Sequence, residues 1–188
     1  ERIADTTKVF GEVKEKLGEL TQRTAQIQEV GKNISSLHEI LRAPKFRGGF
    51  GELLLERLLA DILPRDNYSL QYRFRNGETV DAVIRIGGNL VPIDSKFPLE
   101  DFERIVAAES EEEQTALRRQ FTRTIRKHID DVTKYILPDE NTFDFALMYI
   151  PAENIYYETT IRGTEESDIF SYSLEKRVIP VSPNSFYA

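Results

Sequence analysis

The chain has 188 residues, 40% of them hydrophobic, enough for one core of ordinary size plus an appendage. It has no cysteine and only two histidines, His38 and His128, so disulfides, zinc–thiolate centres and His-rich metal sites are excluded. The net charge of -7 argues against a binder that simply coats phosphates with positive charge, and no apolar run approaches the ~18 residues of a membrane span.

Residues 1–43 read as one long helix. Phe10, Val13, Leu17, Leu20, Thr24, Ile27, Gly31, Ile34, His38 and Leu41 recur in alternating steps of three and four, which is a heptad seam. Past Leu20 the stripe rotates as Val30 and Leu37 join it. So narrow an apolar stripe needs a partner. Self-association into a homo-oligomer through a coiled coil is expected, with docking onto the chain's own domain as the alternative. His38 reads as a packing residue of the seam. The chain begins with Glu1 inside this pattern and stops without an evident ending, so it is expected to be a piece of a longer protein.

Ala43-Pro44 breaks the helix and opens a domain over 44–188. Gly48, Gly49 and Gly51 are costly in entropy before a strong helix, and such glycines usually let the backbone pass close to something. Leu55, Leu58, Leu59 and Ile62 mark the buried face of that helix. Glu52 opens it. Its charge there either favours the helix N-terminus or is a third acid aimed at a site farther along the chain. Lys45 and Arg47 either touch phosphates or are solvated.

Three strands follow. Tyr68, Leu70, Tyr72 and Phe74 alternate with Ser69, Gln71, Arg73 and Arg75, and Asn76-Gly77 signals a hairpin. Val80 to Ile86 and Leu90 to Lys96 form the next two strands around Gly87-Gly88-Asn89, whose residues accept the positive φ of a tight turn. Asp81 begins the first of these and Asp94 nearly ends the second, so antiparallel pairing makes them neighbours. Lys96 shares a face with Asp94 by the two-residue period. Two close carboxylates repel unless a cation neutralises them, and hard oxygen ligands select Mg²⁺ or Mn²⁺. A lysine beside such an ion can hold a water or a phosphate oxygen. The set therefore suits metal-assisted phosphodiester cleavage; the bland alternative is a surface salt bridge.

Glu100 to Ala108 is predicted helical, with Phe102, Ile105 and Val106 inward. Ser110 and Glu113 resemble a capping box opening a helix to about Ile136, buried through Leu117, Phe121, Ile125, Ile129, Val132 and Ile136. Arg119, Arg123, Arg126 and Lys127 share another of its faces and form the densest basic patch, either a DNA-binding surface or a solvated face. His128 abuts that patch. Phe143 to Ile150 reads as a strand covered on both sides. Glu153 follows it, facing the site or a helix terminus. Thr164 to Lys176 is predicted helical, Val178 to Val181 a strand, and Ser182-Pro183-Asn184 a turn. There is no phosphate-binding loop, nucleophile elbow or internal repeat.

A helix with Glu52, a second strand with Asp81 and a third with Asp94-Ser95-Lys96 resembles the PD-(D/E)xK nuclease superfamily. More narrowly, Arg47-Gly48-Gly49-Phe50-Gly51-Glu52, Val80-Asp81, Ile93-Asp94-Ser95-Lys96 with Pro98-Leu99, and Leu147-Met148-Tyr149-Ile150-Pro151-Ala152-Glu153 resemble the bacterial RmuC family. The likeness runs from about Pro44 to the end, and a preceding coiled coil is also a family feature. Phe50 stands where the family commonly has Trp, and Val80 where the superfamily name has Pro. The resemblance implies an α/β fold with a restriction-endonuclease-like core, helix-β-β-β-helix-β. It implies that Asp81, Asp94, the Ser95 carbonyl and Glu52 bind Mg²⁺ or Mn²⁺, with no small-molecule cofactor. Lys96 would position the attacking water. It further implies a DNA substrate, contacted through Lys45, Arg47, Arg73, Arg75, Arg119, Arg123, Arg126 and Lys127, and a bacterial cytoplasmic location with an inner-membrane anchor upstream of this piece. The alternatives are a non-catalytic DNA-binding module and a coiled-coil assembly protein on the same scaffold.

Overall fold

The computed structural model of the chain describes residues 44–96, 98–160 and 168–187, with side chains from residue 49 onward. The heptad helix expected over 1–43, and the self-association read from it, lie outside the described residues.

The first described helix, α1, spans Pro44–Ile62. A short 3-10 turn at Arg65–Asn67 leads into three strands, β1 (Tyr68–Arg73), β2 (Thr79–Ile86) and β3 (Asn89–Ser95). Helices α2 (Leu99–Ala107) and α3 (Glu111–Thr133) then carry the chain to β4 (Ala146–Tyr149). After α4 (Glu153–Thr160) and α5 (Ile169–Glu175) come β5 (Val178–Val181) and a single helical turn, α6 (Pro183–Phe186). The five strands form one sheet in the order β1-β2-β3-β4-β5. The first three are antiparallel hairpin partners, whereas β4 and β5 run parallel to β3 and so need helical crossovers. This is the mixed α/β architecture expected from the sequence.

Each face of the sheet carries its own apolar cluster. On one face Leu55, Leu58 and Leu59 of α1 pack with Ala82, Ile84, Val91, Ile93 and Tyr149. On the other, Phe121, Ile125, Ile129 and Val132 of α3 pack with Val83, Leu90, Ala146, Met148 and Val178. The i, i+4, i+8 spacing on α3 makes that stripe, and Ser110 caps the helix by accepting from Glu113 N at 3.2 Å. The reciprocal bond of a capping box goes instead from Glu109 N to the Glu113 carboxylate, one residue early.

Several local expectations are corrected. The glycine-rich stretch is helical: α1 begins at Pro44, which tolerates the first helical turn because its missing N–H needs no partner there. Among the described residues nothing lies within 4 Å of the position a Cβ would take on Gly49, so that glycine serves no close approach to them. Glu52 therefore sits inside the helix rather than at its N-terminus, and helix-end charge no longer accounts for it. Val106 is 66% exposed rather than inward, because the side of α2 that packs on the core carries Leu99, Phe102 and Ile105. Ser182-Pro183-Asn184 opens a capped helical turn, with Ser182 Oγ accepting from Ser185 N.

The largest departure is in β1. Tyr68 and Leu70 pack with the α1-side cluster, but Tyr72 and Phe74 pack with the α3-side cluster. The buried side of the strand changes across Gln71, whose φ is +47. Register pairs run Leu70↔Ala82 and Tyr72↔Val80, while Gln71 and Asp81 between them form no ladder pair. A left-handed conformation costs an ordinary residue ~1–2 kcal/mol.

Truncation of Ile125, which is fully buried in the α3 stripe, is expected to lower stability by about 2–5 kcal/mol, whereas Val106→Ala is expected to change it by less than about 0.5 kcal/mol. Urea unfolding of both variants checks this placement of the core.

Candidate active site

The turn at Gly87 and Gly88, both at positive φ, fixes the β2–β3 hairpin with Ile86 opposite Asn89. From there the register runs to Ala82↔Ile93, the last pair of the ladder, and Asp81 and Asp94 are the next residues on the two strands, close enough for their charges to interact. The backbone of β3 is secured on its other side by parallel pairing, Asp94↔Met148 and Ser95↔Tyr149, with Lys96 N donating to Tyr149 O at 2.9 Å. Val91 and Ile93 face α1, so Asp94 faces α3.

The expected group converges here. Ser95 N donates to Asp81 Oδ2 at 2.8 Å. Lys96 Nζ lies 2.5 Å from Asp94 Oδ2, an ion-pair contact without hydrogen-bond geometry, and Asp94 is 4% exposed. Glu52 reaches toward the pair from α1 and accepts a 3.0 Å bond from Gln71 Nε2. Burial pushes the Asp81 carboxyl up to about 6; the Ser95 N–H opposes this, while the Asp94 and Glu52 carboxylates reinforce it and Lys96 offsets part of it. Two aspartates thus stand beside one ammonium, with the Glu52 carboxylate acting on Asp81 from α1.

Would this set hold a divalent cation? The donors are hard oxygens, Asp94 Oδ2 is buried with only the Lys96 ammonium against it, and burial, reinforced by the neighbouring carboxylates, raises Asp81. A dication offsets that imbalance, so the residues fit one. Among the described residues no three His, Cys, Asp or Glu side chains gather into a metal cage. The candidate ligands are therefore two aspartates and a main-chain carbonyl, as suits Mg²⁺, which usually keeps several waters and takes only one or two carboxylates.

Two side chains stand beside the site: His128, which sequence reasoning set against the basic patch, and Tyr135, which it allowed to face the site without fixing its direction. His128 of α3 has its basicity lowered first by burial and then by Lys96, while Asp131, Asp94 and Asp101 oppose this; its Nδ1 is buried without a hydrogen-bond partner. Its position between Ile125 and Ile129, on the flank of the buried stripe, was the available signal. Tyr135 donates its hydroxyl to Thr79 O at 3.0 Å, and burial followed by the Asp94 charge pushes it up to about 12. Its neighbour Lys134 turns outward to Glu78 at 2.8 Å.

The other expected residues are more dispersed. Arg119, Arg123 and Lys127 lie exposed on α3, as do Arg73 and Arg75 near the end of β1. Arg126 departs from that surface: its guanidinium lies over the Tyr172 ring at 5.0 Å, and its Nε is buried without a partner. Arg118 is engaged by Glu158 at 2.7 Å. Glu153 accepts from Asn184 N at 2.8 Å, which ties α4 to the last helical turn. The side chains of Lys45 and Arg47 lie outside the described residues.

A family model described as the RmuC family matches residues 2–188. The chain is 32% identical over 194 residues to the "DNA recombination protein RmuC homolog" of Xylella fastidiosa, covering 95% of this chain and 41% of that protein. It is 31% identical to the Pasteurella multocida protein of the same description, over 84% of this chain and 33% of that one. To the "DNA recombination protein RmuC" of Escherichia coli K12 it is 25% identical, over 94% of this chain and 40% of that one. The chain thus spans about two fifths of the length of these relatives or less. No solved structure matches.

Asp81 carries a pH signature. Its folded-state value lies above the ordinary 3.8, so its contribution to stability is complete below that pH and is lost as pH rises through about 6. Without metal, the wild type is expected to lose on the order of 2 kcal/mol relative to Asp81→Asn across this window, after discounting for partial exposure. Urea titrations of both proteins along a pH series measure the difference.

Proposed function

The chain belongs to the RmuC family, and from that premise we propose that it is a DNA-processing domain with a PD-(D/E)xK nuclease-like core that hydrolyses DNA phosphodiesters with Mg²⁺ or Mn²⁺. The observation that carries this reading is the convergence on Asp81, at the start of β2, of the charges of Asp94 and Lys96 at the end of β3 and of Glu52 on α1, with Lys96 paired to Asp94. Supporting it are the helix-β-β-β order with the acids on α1, β2 and β3, and the printed description of the relatives as DNA recombination proteins.

In this reading Asp81, Asp94 and the Ser95 carbonyl hold the divalent ion, and Glu52 orients the edge of the site. The ion, when bound, supplies charge neutralisation and makes a water acidic enough to attack phosphorus near neutral pH. The Lys96 ammonium is already drawn to Asp94. It is placed to hold the attacking water and to face the negative charge that develops on the phosphoryl oxygens. Burial of Asp94 strengthens these interactions by lowering the local dielectric. His128 and Tyr135 close the α3 side.

DNA would reach this acidic site through phosphate contacts made by the exposed Arg119, Arg123 and Lys127, with Arg73 and Arg75 on the sheet side. A homo-oligomer built by residues 1–43, and a tether to the inner membrane of a bacterium from a segment outside this chain, complete the proposal.

The exposed basic residues of α3 also support a second reading, in which the domain binds DNA without cutting it. Two experiments separate the readings. Cleavage of linear and circular DNA with Mg²⁺ or Mn²⁺ is expected from the wild type and is expected to fall at least about 100-fold in Asp94→Ala and in Lys96→Ala, with binding retained. No cleavage on any substrate favours the binding module. The triple variant Arg119→Ala, Arg123→Ala, Lys127→Ala is expected to bind DNA more weakly and to shrink the salt dependence by as many as about three phosphate contacts, read as the slope of log affinity against log salt.

A further inference from the structure

Three described non-glycine residues have a positive φ: Gln71, Asn141 and Arg177. Two have ordinary reasons. Asn141 terminates the 3-10 turn at Pro138–Glu140, and Arg177 follows the end of α5, where left-handed residues commonly close helices. Gln71 has no such reason, because it lies inside a strand, where the ladder favours extended backbone. Backbone strain of this kind persists where the surrounding structure enforces it, and it clusters at functional sites.

What the strain achieves is visible locally. The residue opposite Gln71 in the register is Asp81, and the two make no ladder pair. Across this point β1 exchanges its buried side, from Leu70 on the α1 face to Tyr72 on the α3 face. At the turning point the Gln71 side chain points to α1 and donates its amide to Glu52 Oε2 at 3.0 Å. Glu52 is one of the two carboxylates whose charge acts on Asp81. Gln71 thus links the helix acid to the strand acid, and an extended residue at the same position would follow the ladder instead.

We propose that Gln71 is a positioning residue of the metal site: its left-handed backbone turns β1 so that its amide holds the Glu52 carboxylate beside the Asp81–Asp94 pair. This deepens the nuclease reading and rests on the metal site it invokes, not on cleavage itself. Gln71 touches no reacting atom in this role. It sets where the third negative charge stands, and through that charge it sets how strongly the two aspartates take a cation.

Gln71→Gly separates this role from a structural one. Glycine accepts φ +47 more readily than glutamine, so the metal-free fold is expected to be as stable as the wild type or more so. The amide is lost, so Mn²⁺ affinity by calorimetry is expected to fall about threefold to tenfold. Cleavage at subsaturating Mn²⁺ is expected to fall with it and to recover when Mn²⁺ is raised. Combined with Glu52→Gln, the two losses are expected to be non-additive, since both act through one carboxylate. Gln71→Asn, which also tolerates this backbone and keeps an amide, is expected to fall between wild type and Gln71→Gly. Unchanged Mn²⁺ affinity in Gln71→Gly, or additive losses in the double variant, would overturn the assignment while leaving the nuclease reading intact. Failure of the wild type to bind Mn²⁺ overturns both. Mn²⁺ binding without cleavage by the wild type removes the nuclease reading alone.

Discussion

Two aspartates stand close together at the open end of an antiparallel hairpin, just beyond its last ladder pair, and the rest of the domain is arranged around that repulsion. Like charges on neighbouring strands destabilise a sheet. Here they are also shielded from water, so solvent screening is weak. Three local responses keep the pair in place: the Ser95 N–H donates to Asp81, the Lys96 ammonium lies against Asp94, and Asp81 retains its proton up to about pH 6. All three depend on register. A slip of one residue at the Gly87-Gly88 turn would send Asp81 and Asp94 to different neighbours and turn every core side chain of β2 over.

The sheet supplies the rigidity this requires. β3 is the junction between the antiparallel and parallel halves, hydrogen-bonded to β2 on one side and β4 on the other. Its backbone is locked while the side chains of Asp94 and Lys96 emerge at its carboxyl end. That is where open α/β sheets present their functional groups. The crossover through α2 and α3 is forced by the parallel pairing of β4. The same crossover buries the Phe121 to Val132 stripe against the sheet and carries His128 and Tyr135 to the site. Packing and site construction are thus served by one helix.

The features legible in the sequence were those with a period or a turn signature. The β2–β3 register followed from two glycines, the α3 stripe from steps of four, and the acid pair from its distance to the turn. The unread features depend on contacts between distant segments. Nothing in Tyr-Ser-Leu-Gln-Tyr-Arg-Phe announces that the alternation reverses at Gln71, because the pattern of apolar residues is the same whether or not the strand turns over. The glycines of α1 read as preceding the helix, yet the helix runs through them and carries Leu55, Leu58 and Leu59 to the sheet. Val106 looked inward by composition but falls off the side of α2 that Ile105 occupies. Arg126 had the spacing of a basic patch, but the Tyr172 ring offered its flat guanidinium a stacking surface.

The departures from low energy are not scattered. Among the described residues, the buried side-chain polar atoms without a hydrogen bond are Asp94 Oδ2, Ser95 Oγ, Arg126 Nε and His128 Nδ1. Two belong to consecutive residues of the site, and the His128 ring stands within the field of Lys96 and Asp94. The left-handed residue inside a strand, Gln71, is hydrogen-bonded to the acid on α1. Apart from Arg126, which lies against Tyr172, these departures gather at the open end of one hairpin, where Asp81 feels the charges of Asp94, Glu52 and Lys96 together.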